Sequence, residues 1–406
     1  MENSIQQKRV NNTVVITFSL LFERMSYYGF RSILILYMIS ETFQMENLGA
    51  ITIYMYLSLF LLFTQLIGGI FGDFILKNKK AILLGGLLAA FGCVIVCIQD
   101  IYMLYAGLVL MTLGSGFLKP NMLAVYGKTY YNKPEYLDSA FSLYYLIINI
   151  GAFIGVALLA YISDEFGFLI AFGAVAIMYI VTSSLSLLIS EASEKLEYDS
   201  QSLSSNNILY VILAIFVSVA FWGLYEISST PRYMLLGDES FKSGIEAYFS
   251  KGILDYIDAF FLIPLLIIFG IIWLKFHQSR FLKIALGFLF GSLALVQFSQ
   301  ISMGNFDDNV FYLISGIFFY TIAEVFIGVI VLSIIARYTN PKYLTIVLAL
   351  LASISGIIVY AIGQFTSIMY QDSKLFSYVG LAISLAITCM LFIVFFFARK
   401  YARNNE

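Results

Sequence analysis

The chain has 406 residues, of which 61% are hydrophobic and 12% charged, with a formal net charge of -2; soluble domains carry roughly a quarter of charged residues. So few charges cannot cover a water-soluble globule of this length, which makes lipid the solvent, and the small net charge without a basic run excludes a nucleic-acid-binding stripe. No polar segment is long enough for a large ectodomain on a single anchor, and Cys93, Cys97 and Cys389 lie in apolar stretches that suit small core residues and not a disulfide framework.

Apolar runs bounded by charged or turn-forming clusters predict twelve membrane-spanning helices, at about 13–39, 50–72, 80–98, 101–122, 138–162, 167–190, 207–228, 256–276, 281–302, 309–336, 343–368 and 375–398. Residues 1–12 read as a polar tail carrying Lys8 and Arg9, not as a cleavable signal peptide. With the N-terminus inside, sixteen of the 23 lysines and arginines fall in cytoplasmic segments and four in outer ones, so both termini are expected in the cytoplasm. Pro120 and Gly116 are expected to bend the fourth span, and the outer segment from Ser229 to Asp255 has room for a short surface helix. Residues 191–206 (EASEKLEYDSQSLSSN) divide the chain into a bundle at 13–190 and a bundle at 207–398, followed by a tail at 399–406. Two six-helix halves around one central site is the plan of many secondary transporters.

Charges at membrane depth are costly, about 2.5–3.5 kcal/mol each on insertion scales, so each is a functional candidate. They are Glu23, Arg24 and Arg31 in the first span, Lys119 in the fourth, Glu226 in the seventh and Glu324 in the tenth, with Asp258 near the outer end of the eighth. On a helical wheel with Glu23 at 0°, Tyr27, Arg31, Arg24 and Tyr28 fall at about 40°, 80°, 100° and 140°. Lipid cannot solvate such a face, so it lines a cavity. Two arginines and a lysine suit a carboxylate, and Glu226 with Glu324 suits an ammonium, which makes a zwitterion the natural ligand. A buried carboxylate that loses its cationic partner takes up a proton, which supplies a coupling mechanism. His277, the only histidine, lies in a short cytoplasmic loop and is excluded from that role.

Several local sequences carry a resemblance. FERMSYYGFRSIL (Phe22 to Leu34) is similar to an E-R-F-x-Y-Y-G-x-R element, and GSGFLKPN (Gly114 to Asn121) to G-x-G-F-L-K-P-N. FSLYYLIINIGAFIG (Phe141 to Gly155) is similar to F-Y-x-x-I-N-x-G-A-F, while FWGLYE (Phe221 to Glu226) and AEVF (Ala323 to Phe326) match acidic positions of the seventh and tenth spans. GGIFGDFILKNKK (Gly68 to Lys80) looks like a Gly-rich, Asp-containing cytoplasmic turn. Together, taken along the chain, they resemble the proton-coupled oligopeptide transporter family of the major facilitator superfamily. The resemblance implies an all-α polytopic membrane protein of that superfamily's fold, with twelve transmembrane helices as two six-helix bundles. It implies a symporter that imports di- and tripeptides with protons by alternating access, monomeric, in a bacterial cytoplasmic membrane. No cofactor other than the coupling proton, and no metal, is expected.

Residue by residue, the resemblance implies that Arg24 and Lys119 hold the peptide carboxylate, with Tyr27 and Tyr28 lining the pocket. It implies that Asn149 contacts the peptide backbone, Glu324 the ammonium, and Trp222 a side-chain pocket. Arg31 and Glu226 would pair to close the outer side, and Lys119 and Glu324 would pair in the absence of substrate. Asp73 and Lys77 read as a conformational latch and not a substrate site. There are departures. Leu20 stands where the family's E-x-x-E-R has its first glutamate, in the middle of the polar arc, which shifts coupling to Glu23, Glu226 or Glu324. Asp258 stands where the family has an asparagine, and the 191–206 linker is too short for the two extra helices common in bacterial members. These keep open a same-fold transporter of another solute, such as an amino-acid derivative or peptide-like drug, or an exporter. An enzyme is not expected: there is no H-E-x-x-H, no intramembrane histidine, and IFGD (Ile70 to Asp73) lacks the first glycine of the aspartyl-protease element.

Overall fold

A computed structural model describes residues 2–190, 205–248, 253–277, 279–301, 306–368 and 373–403. The helices, in chain order, are α1 (Glu2–Ile39), α2 (Asn47–Ile70), α3 (Asn78–Val96), α4 (Ile101–Thr129), α5 (Leu137–Phe166), α6 (Phe168–Ser186) and α7 (Ser205–Leu236). They continue as α8 (Glu239–Tyr248), α9 (Ile253–Lys275), α10 (Arg280–Gln300), α11 (Phe306–Tyr338), α12 (Leu344–Ile368) and α13 (Ser373–Arg403). The fold is all-α, with no strand among the described residues. The twelve expected spans correspond in order to α1–α7 and α9–α13, and α8 is the short helix expected in the outer segment. Ten helical stretches among the described residues are long and apolar enough to cross a membrane. Neither α1 nor α13 is among the ten: α1 carries Glu23, Arg24 and Arg31 and begins in a polar segment, and the apolar stretch described in α13 is Tyr378–Ile393.

One expectation changes. The polar start is not a separate tail, because α1 runs unbroken from Glu2; no Gly or Pro interrupts that stretch, and Asn12 exchanges two 2.9 Å hydrogen bonds with the Ser190 backbone. The fourth span, α4, is one continuous helix with Pro120 inside it. Gly116 serves packing, since a Cβ there would strike the Thr64 side chain of α2. On the other side of α4, a Cβ on Gly85 of α3 would lie 2.8 Å from the Gly114 carbonyl oxygen. Glycines of the G-S-G-F element therefore seat α4 against both α2 and α3, which fixes where Lys119 emerges. A similar seam joins α1 to α5, where a Cβ on Gly29 would lie 2.8 Å from the Gly155 carbonyl.

The helices form two compact units. The first holds Met1–Leu137, Tyr144–Val211 and Ile335–Gly356, and the second Asp138–Leu143, Ile212–Ile334 and Ile357–Glu406. The expected 13–190 and 207–398 bundles are thus modified at two places: the first turn of α5 belongs to the second unit, and the segment from the end of α11 into α12 belongs to the first. Most of the linker, 191–204, lies outside the described residues. In the first unit, Phe18 and Leu36 both fall at about 220° on the α1 wheel, away from the polar arc, and are 54% and 50% exposed. Glu23, within the arc, is fully buried. This is the inside-out polarity of a helix whose apolar side meets lipid.

Candidate functional site

In the first unit, α1 gathers the predicted cations. Glu23 and Arg24 pair at 2.8 Å (Oε2 to Nε), and both are buried. Gly151 of α5 makes this possible, because a Cβ there would lie 2.8 Å from the Arg24 Cβ. One helical turn on, Tyr27 stands between two further cations. The Lys119 ammonium from α4 lies 3.1 Å from the centroid of its ring, and its hydroxyl accepts a 2.7 Å hydrogen bond from Arg31 Nη1. A cation over an aromatic face is worth up to about 2 kcal/mol when desolvated. Lys119 is joined to no carboxylate among the described residues. Leu20, which stands where the family's motif has its first glutamate, is fully buried.

Arg31 is held differently. Besides Tyr27, its Nε donates to the Tyr54 hydroxyl at 2.9 Å and its Nη2 to Ser58 Oγ at 2.8 Å, so every side of the guanidinium meets a neutral hydroxyl. The Tyr54 ring also stacks beneath it, 4.2 Å from Cζ to the centroid. Tyr27, Arg31, Tyr54, Ser58, Met111 and Thr112 line a cleft whose remaining walls are apolar. Tyr54 and Ser58 were missed as site residues. Their i, i+4 spacing on a largely apolar helix was the available signal. Tyr28 packs edge-to-face on Tyr27 at 5.3 Å, and Asn149 donates to its own helix, to the Tyr145 carbonyl at 2.9 Å.

The second unit carries the acidic candidates. Glu226 is half-buried on α7, and Gly363 of α12 leaves room for it, since a Cβ there would lie 2.9 Å from Glu226 Oε1. Glu324 is half-buried between the fully buried Ala323 and Val325 of α11, and Asp258 is half-buried on α9. Trp222 meets Phe221 at 5.4 Å and Tyr225 at 6.0 Å, and both of those rings stack on Tyr320.

The turn after α2 is corrected in detail. It is a π-helical turn, Phe71–Ile75, closed by the Leu76 amide on the Phe71 carbonyl at 2.7 Å. Asp73 there accepts from the Thr345 hydroxyl at 2.5 Å and the Ile346 amide at 2.9 Å, so it caps the start of α12 within the first unit. Its cation is Lys128, at 3.5 Å, and not Lys77. Lys77 is exposed, at φ 64° just ahead of α3. Asn78 completes the cluster, accepting from Lys128 at 2.6 Å and donating to Asn121 and Thr345 at 2.7 Å each. A further cluster, missed in the sequence, surrounds Asp138 in the second unit: Lys283 at 2.6 Å, Arg280 at 3.1 Å, and the Ser333 hydroxyl. His277 is exposed, as expected of a loop histidine.

Ten helical stretches among the described residues that are long and apolar enough to cross a membrane define a polytopic integral membrane protein. The chain belongs to the Major Facilitator Superfamily, whose sequence profile matches residues 16–364. Among curated proteins it is similar to dipeptide and tripeptide permease A of Erwinia pyrifoliae, 31% identical over 183 residues, which are 44% of this chain and 36% of that one. It is similar also to dipeptide and tripeptide permease A of Escherichia coli, 27% identical over 273 residues, 64% of this chain and 54% of that one. The chain thus spans between about a third and a half of the length of these relatives. Its fold matches a crystal structure of the peptide transporter POT in complex with sulfate, with TM-score 0.63 and 19% identity over 96% of this chain and 97% of that one. It matches equally a POT family transporter in complex with 5-aminolevulinic acid, with TM-score 0.64 and 18% identity over 94% and 95%.

Proposed function

We propose that the protein is a proton-coupled oligopeptide transporter that imports di- and tripeptides by alternating access. The carrying observation is the state of Lys119. Its ammonium rests on the face of Tyr27, beside the Glu23–Arg24 pair, with no carboxylate in ion-pair contact among the described residues. An ammonium seated on a ring face keeps donors for an incoming carboxylate, and the charge-assisted hydrogen bonds they form are short and strong. The carboxylates of the second unit, Glu324 first among them, supply the complementary chemistry for a peptide ammonium. The permease relatives and the matching POT structures support this reading.

Proton movement falls to Glu23, Glu226 or Glu324. When the substrate carboxylate draws Arg24 toward itself, Glu23 loses its 2.8 Å partner, and a buried carboxylate without a cation binds a proton. The distribution of lysine and arginine supports a cytoplasmic position for both termini. Uptake of dialanine into proteoliposomes under an inward pH gradient and an inside-negative potential tests the proposal. Accumulation above protein-free vesicles is expected, and its absence rejects these substrates. Glu324→Gln should abolish binding, and wild-type affinity in that variant would remove the ammonium assignment.

A second reading is a smaller zwitterion. Leu20 narrows the polar arc, and 5-aminolevulinic acid is the molecule held by one of the matching structures. Competition of 5-aminolevulinic acid against dialanine separates the two: stronger inhibition by the former favours the second reading.

A further inference from the structure

We propose that Tyr144 is a positioning residue for Arg24, a neutral second anchor that stands in for the carboxylate absent at Leu20 and keeps the guanidinium aimed at the substrate carboxylate; this rests on the peptide-transport reading above. Both residues belong to the first unit. On α5, Tyr144 and Gly151 are seven residues apart, which puts them within about 20° of the same face. That face meets α1: a Cβ on Gly151 would lie 2.8 Å from the Arg24 Cβ, and one on Gly155 would strike the Met25 backbone. The glycine seam thus fixes how Tyr144 approaches α1, and Arg24 donates a hydrogen bond to its hydroxyl. Tyr144 is itself held, buried with its ring centroid 5.0 Å from that of the buried Tyr126 of α4.

Arg24 needs that second anchor. Leu20 lies one turn back on the same helix, at i and i+4 with Arg24, so the place from which a carboxylate would reach the guanidinium holds a fully buried apolar side chain. Among the described residues, Glu23 is the carboxylate in ion-pair contact with Arg24, at 2.8 Å. The other titratable groups around this pair are Tyr27 and Tyr28 of α1, Lys119 of α4 and Tyr179 of α6, and Lys119 carries the same charge as Arg24. In the F-Y-x-x-I-N-x-G-A-F pattern to which residues 141–155 are similar, Tyr144 falls on the phenylalanine, so its hydroxyl is a departure, as Leu20 is. The two departures are complementary, since one takes an acceptor from Arg24 and the other supplies one. A phenol differs from a carboxylate in bringing no charge. It holds the guanidinium whether Glu23 is ionised or carries a proton, and it leaves the positive charge of Arg24 for the substrate.

Phenylglyoxal modification of the purified full chain, read by peptide mass spectrometry, tests the anchor without substrate, and Arg31, held by three other hydroxyls, is the internal reference. Tyr144→Phe is expected to raise the rate at Arg24 about tenfold with Arg31 unchanged, and Leu20→Glu added to Tyr144→Phe should bring Arg24 back to the wild-type rate. An unchanged Arg24 rate overturns the proposal, as does an equal rise at both arginines, which a loosened structure gives, or a rise that Leu20→Glu leaves in place. If the double variant does not yield monodisperse protein, Tyr144→Phe decides alone, since it removes one hydroxyl and keeps the packed ring. Binding is the second readout. Tyr144→Phe should weaken dialanine binding about tenfold and leave dialanine amide, which lacks the carboxylate, at its wild-type affinity. Equal losses for the two ligands, or no loss for dialanine, overturn the proposal. If the wild-type protein binds no dialanine, the peptide reading falls and the modification rates judge Tyr144; dialanine bound by the wild type with unchanged Arg24 reactivity in Tyr144→Phe rejects the anchor alone.

Discussion

Lys119 and Arg31 sit on either side of one tyrosine and are treated in opposite ways. Arg31 has three hydroxyl acceptors and a stacked ring, so its hydrogen-bonding capacity is largely met before any ligand arrives. Lys119 has the face of Tyr27 and, among the described residues, no anion in ion-pair contact. An ammonium has three donors and no acceptor, and a ring face satisfies them weakly. The difference separates a cation that is built into the wall from one that is held ready. The wall cation shapes the cleft; the ready cation has more to gain from a carboxylate. Tyr27 serves both, with its face to one and its oxygen to the other, so displacement at Lys119 is felt at Arg31 through a single rigid ring.

The largest expected effect tests the ready cation. Lys119→Ala should cost about 2–5 kcal/mol in substrate affinity, measured by calorimetry or microscale binding, while leaving the Tm of the empty protein unchanged or higher, because an ion with no anion partner is removed. A Tm lowered by several degrees would make Lys119 structural and erase the contrast with Arg31. Next come two substitutions at Tyr27. Tyr27→Leu removes ring and hydroxyl together, and should cost about 3–4 kcal/mol between stability and affinity. Tyr27→Phe keeps the seat of Lys119 and removes only the Arg31 acceptor, at about 1.5–3 kcal/mol, falling on thermal stability more than on affinity. Equal affinity losses in the two variants would show that the ring face does not matter to Lys119.

How much of this was legible in the sequence depends on whether a residue's role is set by its own helix or by a distant one. The spans were legible because lipid imposes length and apolarity on each helix separately. The polar arc of α1 was legible for the same reason: Glu23, Arg24, Tyr27 and Arg31 share a face through helical geometry alone. The partners were not. Asp73 and Lys77 read as one latch because they share a turn, but Lys128, 55 residues on, makes the ion pair. Arg280 and Lys283 sat in a predicted loop and at a predicted helix start, and read as markers of orientation. Lys283 is fully buried only because α5 brings Asp138 to it from 145 residues away. Burial of an end-of-helix charge is a tertiary property that no local pattern reports. The helical start of α1 was hidden for a related reason, since polar residues read as tail until Asn12 is seen to bind the Ser190 backbone.

The smallest effects lie in the wall around Arg31, and their order is itself a test. Tyr54→Phe removes the Nε acceptor but keeps the stacked ring, so about 1.5 kcal/mol of stability is expected to go, at the low end for a hydrogen bond to a charged group. Ser58→Ala should cost less than about 1 kcal/mol, because Arg31 is only half-buried and a water can take the vacated place at Nη2 with little loss. The Ser58 hydroxyl also donates to the Tyr54 carbonyl at 2.9 Å within its own helix, so its removal frees α2 from a side-chain bond that competes with the backbone ladder and returns part of the loss. Thermal melts of the two single variants and the double give the coupling. Near-additive losses would mean that each hydroxyl acts alone. A double-variant loss well above the sum, with affinity falling alongside it, would mean that Arg31 swings free once two of its three acceptors are gone, and that its position was held jointly by the hydroxyls of the wall.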